Sequence, residues 1–171
     1  MRSDGKHKAP MEELPVTELQ LSGKELGELM RIKLQSGLPF RFQARGWSMA
    51  PFIRDHDVIT LRALAGIKIQ VGDIVAFIRP ESENLVVHRV IARQGESFLI
   101  QGDGAEGMSD GIIPSSNLIG IVTEIERNGR GIWLGLGLER YPIAWLSRAH
   151  LIQPIRIRLV RWRNRILPRP Q

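Results

Sequence analysis

Between Phe40 and Arg127 the chain is built from short segments rich in valine and isoleucine. They are Val58 to Leu64, Ile74 to Ile78, Leu85 to Ala92, Phe98 to Ile100 and Leu118 to Ile125. Gly, Pro, Asp and Asn separate them, and segments of this length and composition read as strands. Turns are marked at Gly72-Asp73, Pro80 to Asn84, Gln94-Gly95 and Gly102 to Gly111. Asn128-Gly129, before Ile132-Trp133-Leu134, is a strong hairpin signal. The pattern predicts a compact antiparallel β domain. A short helix precedes it over Ser22 to Gln35, with Ser22 as cap, Glu25 three residues on, and Leu26, Leu29, Met30 and Leu34 at helical spacing. Gly37-Leu38-Pro39 ends that helix. The chain therefore divides into a polar leader with a short helix (1–37), a β domain (38–135) and a basic amphipathic helical tail (136–171).

Composition narrows the chemistry. A chain of 171 residues is long enough for one domain with a real core. It has no cysteine, which excludes disulfides and thiolate metal sites. Its four histidines, His7, His56, His88 and His150, lack metal-ligand spacing, so neither a metal nor a cofactor is expected. The first 45 residues hold no apolar run long enough for a signal peptide or a membrane span. The expected location is the cytoplasm or the periphery of the cytoplasmic membrane. From Tyr141 to Gln171 there are seven arginines and no acid, which leaves 17 basic against 18 acidic residues elsewhere. The basic character belongs to the tail, and so speaks to what the tail touches.

One serine stands in an unusual setting. Gly46-Trp47-Ser48-Met49-Ala50-Pro51 places Ser48 between a glycine and a Met-x-Pro bend, at the end of the apolar segment Leu38 to Phe42. A nucleophilic hydroxyl must project from a constrained turn, with backbone N–H groups nearby for an oxyanion. The alternative is an ordinary Gly/Pro loop between strands. A serine nucleophile also needs a base, and His88 is the candidate. Strand alternation puts it with Val86 and Val90 on an apolar face, while Arg89 lies opposite. A desolvated, neutral imidazole suits a general base; it is also what a core histidine looks like. Asp103 and Asp110, in the loop expected after Phe98 to Ile100, are candidates for the acid that orients the base. Each is followed by glycine, so each is also a candidate turn cap.

Taken in order, the Ser48 box, Val71-Gly72-Asp73-Ile74, Val87-His88-Arg89-Val90, Gln101-Gly102-Asp103, Asp110 and Leu118-Ile119-Gly120 resemble type I signal peptidases of the endoplasmic-reticulum and archaeal kind. The likeness covers Phe40 to Ile125, about half of the chain. It implies a signal-peptidase and repressor-peptidase-like β-barrel and a serine endopeptidase with Ser48 as nucleophile, His88 as base and Asp110 as orienting acid. Asp103 would support the site, Trp47 and Met49 would contact substrate, and Gly46, Pro51, Asp57 and Asp73 would shape turns. Small side chains are implied just before the cut. The chain departs from the family in three ways. A polar leader and a short helix stand where the family has a membrane-spanning segment. His56 stands where glycine is usual before Asp57. Trp47 precedes the nucleophile where smaller residues are commoner.

In the tail, Ile155, Leu159, Trp162 and Ile166 form one helical stripe, and Arg158, Arg161 and Arg165 another. This reads either as a helix lying on an anionic membrane surface or as one packed on the domain with a solvated arginine face. The expected partners are a peptide or protein precursor and, through the tail, an anionic membrane. No nucleic-acid motif is present and nucleic acid is not expected as a partner. A repressor-type autoprotease and a non-catalytic membrane-peripheral β module are the competing functional classes. The first needs a DNA-binding head, for which about 45 residues with one clear helix are too few.

Overall fold

The computed structural model describes residues 23–104 and 109–149. Eight antiparallel strands form a single sheet: β1 (Phe40–Gln43), β2 (Val58–Arg62), β3 (Ile74–Ile78), β4 (Leu85–Gln94), β5 (Ser97–Gln101), β6 (Ser109–Pro114), β7 (Leu118–Arg127) and β8 (Arg130–Ile132). Their spatial order is β1-β2-β7-β3-β4-β5-β6, with β8 on β7. Helix α1 (Gly23–Gln35) precedes the sheet and α2 (Arg140–Arg148) follows it. The expected β-rich architecture is present. The leader 1–22, including the expected cap Ser22, and the tail stripe Ile155, Leu159, Trp162 and Ile166 lie outside the described residues.

The apolar segments fold as strands because both faces of the sheet have something to bury against. On one face α1 lays Met30 and Leu34 over Ile59, Leu61, Ile74 and Ile125. Gly27 permits this close approach, since a Cβ there would stand 2.6 Å from Ile78 Cδ1. On the other face Val75, Phe77, Val90, Phe98, Ile100 and Ile113 form a second cluster. The Asn128-Gly129 signal holds: both residues have positive φ (51° and 72°) in the turn between β7 and β8. One element departs from expectation. The stretch Gly102 to Gly111 reads as turn in sequence, yet its end starts β6, which pairs with β5 from Ser97↔Pro114 to Gln101↔Ser109. Asp110 therefore sits on a strand, not in a loop. Ser109, Asp110 and Gly111 are weak strand formers, and the ladder to β5 overrides their local preference.

Arg89 departs from its sequence reading as well. Placed opposite the apolar face of β4, it is fully buried (0% exposed). Its Nε donates to both oxygens of Asp103 at 3.0 Å, and Nη2 donates to Oδ2 at 2.7 Å. Nη1 donates to the carbonyls of Gly72 (2.7 Å) and Gly135 (2.9 Å). Ser147 of α2 donates its hydroxyl to Asp103 Oδ1 at 2.6 Å, and Gln101 Nε2 donates to the Ser147 carbonyl at 3.0 Å. The guanidinium thus joins β4, the loop after β5, the turn before β3 and the segment leading into α2. A buried charge is tolerated only when paired and hydrogen-bonded, and here both ions are. None of the described helices is long and apolar enough to cross a membrane.

Removing either ion strands the other. Arg89→Ala or Asp103→Ala should each lose about 3–5 kcal/mol of unfolding free energy. Arg89→Met combined with Asp103→Leu should cost less than the two single losses added together. Urea denaturation of the three variants measures this. A single-variant loss under about 1 kcal/mol would contradict the role given to the pair.

Candidate active site

The turn carrying Ser48 is fixed at both ends. At its start, the Ala44 N–H donates to the Asp57 carbonyl at 2.7 Å and the His56 N–H donates to the Ala44 carbonyl at 2.9 Å. Gly46, with φ +88°, donates its N–H to Asp55 Oδ1 at 2.9 Å. Nothing lies within 4 Å of where its Cβ would be, so glycine is wanted there for backbone conformation and not for space. Met49, Ala50 and Ile53 are buried and anchor the turn, whereas Ser48 stays exposed. The turn closes through N–H bonds from Ala50 to Trp47 O and from Ile53 to Met49 O, and the Ala50–Pro51 peptide is cis.

Asp57 holds the far side. It accepts from the Arg54 N–H (2.8 Å), Arg127 Nε (2.8 Å) and Arg127 Nη2 (2.6 Å). Burial pushes its carboxyl up, but the Arg127 and Arg54 interactions outweigh this and leave it below its ordinary value. His56 adopts φ +68° before it. The histidine takes up the left-handed conformation that glycine adopts freely, at a cost of about 1 kcal/mol. Asp73 shapes a second turn: Oδ2 accepts from the Gln70 N–H at 2.8 Å and Oδ1 pairs with Arg140 Nη1 at 2.8 Å.

His88, 6% exposed, faces Asp110 with one ring nitrogen: Nδ1 stands 2.5 Å from Oδ2. The other oxygen of Asp110 accepts from Arg79, through Nε at 3.1 Å and through Nη2. The Phe77 ring packs at 6.4 Å between centroids. With Nδ1–H given to the carboxylate, a neutral imidazole presents Nε2 as an acceptor. Nε2 lies near the backbone of Ser48. A Cβ on Gly102 would stand 3.1 Å from His88 Nε2 and 2.6 Å from the Ser48 carbonyl oxygen. Those two atoms are therefore no more than 5.7 Å apart, the sum of the two distances. Gly104 completes the clamp: its N–H donates to the Ser48 carbonyl at 2.6 Å, and a Cβ on it would fall 2.5 Å from Trp47 O.

Ser48 and His88 both line a cavity of about 520 Å³. Phe42, Met49, Ile53, Ile59 and Leu85 make much of its wall apolar. The sheet curves so that β1 and the first half of β4 border the same cavity, although β2, β7 and β3 lie between them in the sheet. Among the described strands β1 pairs only with β2, and Leu85 to His88 pair only with β3. Val90 exchanges backbone bonds with Gly72 and Asp73. Alternation then turns the N–H and C=O of Leu85 and Val87 away from β3. By the same reasoning from Ala44, the backbone groups of Gln43 and Arg45 turn away from β2.

Asp110 meets His88, and Ser48 shares the cavity wall with His88, but no hydrogen bond joins Ser48 to His88 among the described residues. Asp103 is not at the histidine; it belongs to Arg89 and Ser147, and its flanking glycines reach Ser48. Met49 lines the cavity floor, whereas Trp47 is 60% exposed and lies outside the cavity lining. Arg79 and Gly102 escaped the sequence reading. Gly102 had a signal, in the Gly-Asp-Gly triplet; Arg79, directly after β3, had none. Among the described residues no group of three or more histidines and carboxylates is placed to hold a metal ion. No protein-family model matches the chain, and no curated protein sequence does.

Burial tends to raise the Asp110 carboxyl. The hydrogen bonds and charges of His88 and Arg79 outweigh it and leave the group below its ordinary value. The unfolded chain then binds the proton more readily than the folded one. The stabilisation is present above the unfolded value, about pH 3.9, and is lost as pH falls through the lower folded value. Asp110→Asn should therefore be less stable than the parent at pH 7, with the gap narrowing at about pH 3. Denaturant titrations at the two pH values measure the gap; a gap that widens toward acid would contradict the assignment.

Proposed function

We propose that this protein is a serine endopeptidase of the signal-peptidase-like superfamily, with that superfamily's barrel-like fold. The observation that carries the reading is the two-sided placement of His88. Asp110 holds Nδ1, and Nε2 faces the turn of an exposed serine at the wall of a cavity bordered by two open strand edges. In the proposed reaction, an extended peptide lies between β1 and β4 and bonds the free backbone groups of Gln43, Arg45, Leu85 and Val87. Ser48 Oγ attacks the scissile carbonyl and its proton passes to His88 Nε2. Asp110 keeps the imidazole in the needed tautomer and stabilises the imidazolium. As the C–N bond breaks, Nε2–H protonates the leaving amine. Water then attacks the acyl-serine, giving its proton to Nε2, and Ser48 recovers a proton as the acid product leaves. The Ser48 N–H donates to no group among the described residues, so it is free to bond an oxyanion. The likeness to signal peptidases adds small side chains before the cut.

Labelling by a fluorophosphonate probe tests the chemistry. Ser48→Ala should abolish it. His88→Ala and Asp110→Asn should slow it by about two to four orders of magnitude. Labelling that persists in Ser48→Ala, or a rate that rises only above about pH 9 as for a lysine base, would refute the mechanism.

In the same reading the Arg-rich end holds the protein to an anionic membrane surface. The exposed rings of Trp133 (81%) and Trp145 (65%), amphipathic groups suited to a lipid interface, favour this. Deleting residues 155–171 should weaken binding to anionic liposomes and leave cleavage of a short soluble peptide intact. Unchanged liposome binding would remove the membrane role.

A further inference from the structure

The cavity is apolar on its floor but carries charge of one sign at its wall. Arg45 and Arg79 are the two permanently charged residues that line it. Arg79 is committed to Asp110. Arg45 is not committed to any carboxylate among the described residues. Its Nη1 lies 3.3 Å from His56 Nδ1. An arginine only donates, so His56 Nδ1 accepts and its Nε2 turns to Asp55 Oδ2 at 3.1 Å. Asp55 Oδ1 is taken by the Gly46 N–H. The neighbouring acid is thus engaged elsewhere, and the Arg45 fork keeps unused donors. Arg45 also stands three residues before Ser48, on the chain whose backbone turns toward the open edge.

We infer that Arg45 is a specificity-determining residue, and that the cleft selects extended peptides bearing a carboxylate side chain beside it and an apolar side chain over the Met49–Ile53 floor. This rests on the reading of the cavity as a peptide cleft, and it narrows the substrate class to acidic peptides. An arginine fork matches a carboxylate in shape and charge. Because Arg45 is exposed, screening limits the effect to several-fold and makes it salt-sensitive. A lysine at the same place in the peptide would meet two cations and no acid among the described residues of the cavity wall.

The test uses full-length Ser48→Ala protein, which retains peptide without cutting it. Fluorescent peptides identical except for Glu, Gln or Lys at one scanned position are titrated by anisotropy. At one position Glu should bind about three- to tenfold more tightly than Lys, with Gln between, and the gap should shrink from about 50 to about 300 mM salt. Arg45→Glu should invert the order and Arg45→Lys should keep it. Equal affinities at every position, or an order unmoved by Arg45→Glu, would overturn the inference. Binding and cutting separate the two claims. Charge preference without any cleavage or probe labelling by the Ser48 protein would leave Arg45 its role and remove the peptidase. Cleavage indifferent to charge would do the reverse, and no binding of any peptide would overturn both.

Discussion

The buried pair of Arg89 and Asp103 is the interaction on which the rest of this molecule depends. Its two ions come from β4 and from the loop after β5, and its remaining donors reach the Gly72 turn and the Gly135 carbonyl ahead of α2. The same loop carries Gly102 and Gly104 against the backbone of Ser48. The ion pair therefore acts on the site at one remove. It holds Asp103, whose flanking glycines pack closely against the serine turn, Gly104 bonding the Ser48 carbonyl. Two charges taken fully out of water are worth keeping only where geometry matters more than net stability.

Consecutive residues of β4 divide the labour. His88 lines the cavity and Arg89 lies on the opposite side, as strand alternation requires, and both side chains are buried. On the cavity side, the Asp110 carboxylate is almost completely enclosed, yet it has both oxygens engaged, one by His88 and one by Arg79. That double engagement keeps the acid ionised despite burial, which is the condition for holding an imidazole in one tautomer. Arg79 is charge-matched by Asp110, whereas Arg45 pairs with no carboxylate among the described residues.

The curvature of the sheet gives the cavity its character. Among the described strands β1 ends the sheet, and the first half of β4 has β3 alone as neighbour because β5 pairs only from Arg89 onward. Among the described strands these two edges lack a further neighbour beside one apolar hollow, and under the proposed function an extended peptide would fill that place. Exposed edges are ordinarily a hazard; here they border the one described cavity that holds both Ser48 and His88.

Much of this was legible in the order of residues. Short Val/Ile runs between Gly, Pro and Asp fixed the strands, and Asn128-Gly129 fixed a hairpin, because these depend on side-chain shape and backbone preference within a few residues. Ser48 in its Gly46 to Pro51 box and His88 on β4 stood out for the same reason. Other features were invisible because they arise from pairing between distant segments. Asp110 looked like a turn residue until β5 drew it into β6. Asp103 and Asp110 had the same local signature, Asp followed by Gly, and differ only in which arginine or histidine reaches them across the sheet. Arg89 read as a residue opposite the apolar face until α2 and the Gly135 segment closed over it. The sequence by itself determined which elements form and which side chains have reactive chemistry. Only the tertiary structure decided which acid meets the histidine and which charges are buried, because those depend on contacts between residues far apart in the chain.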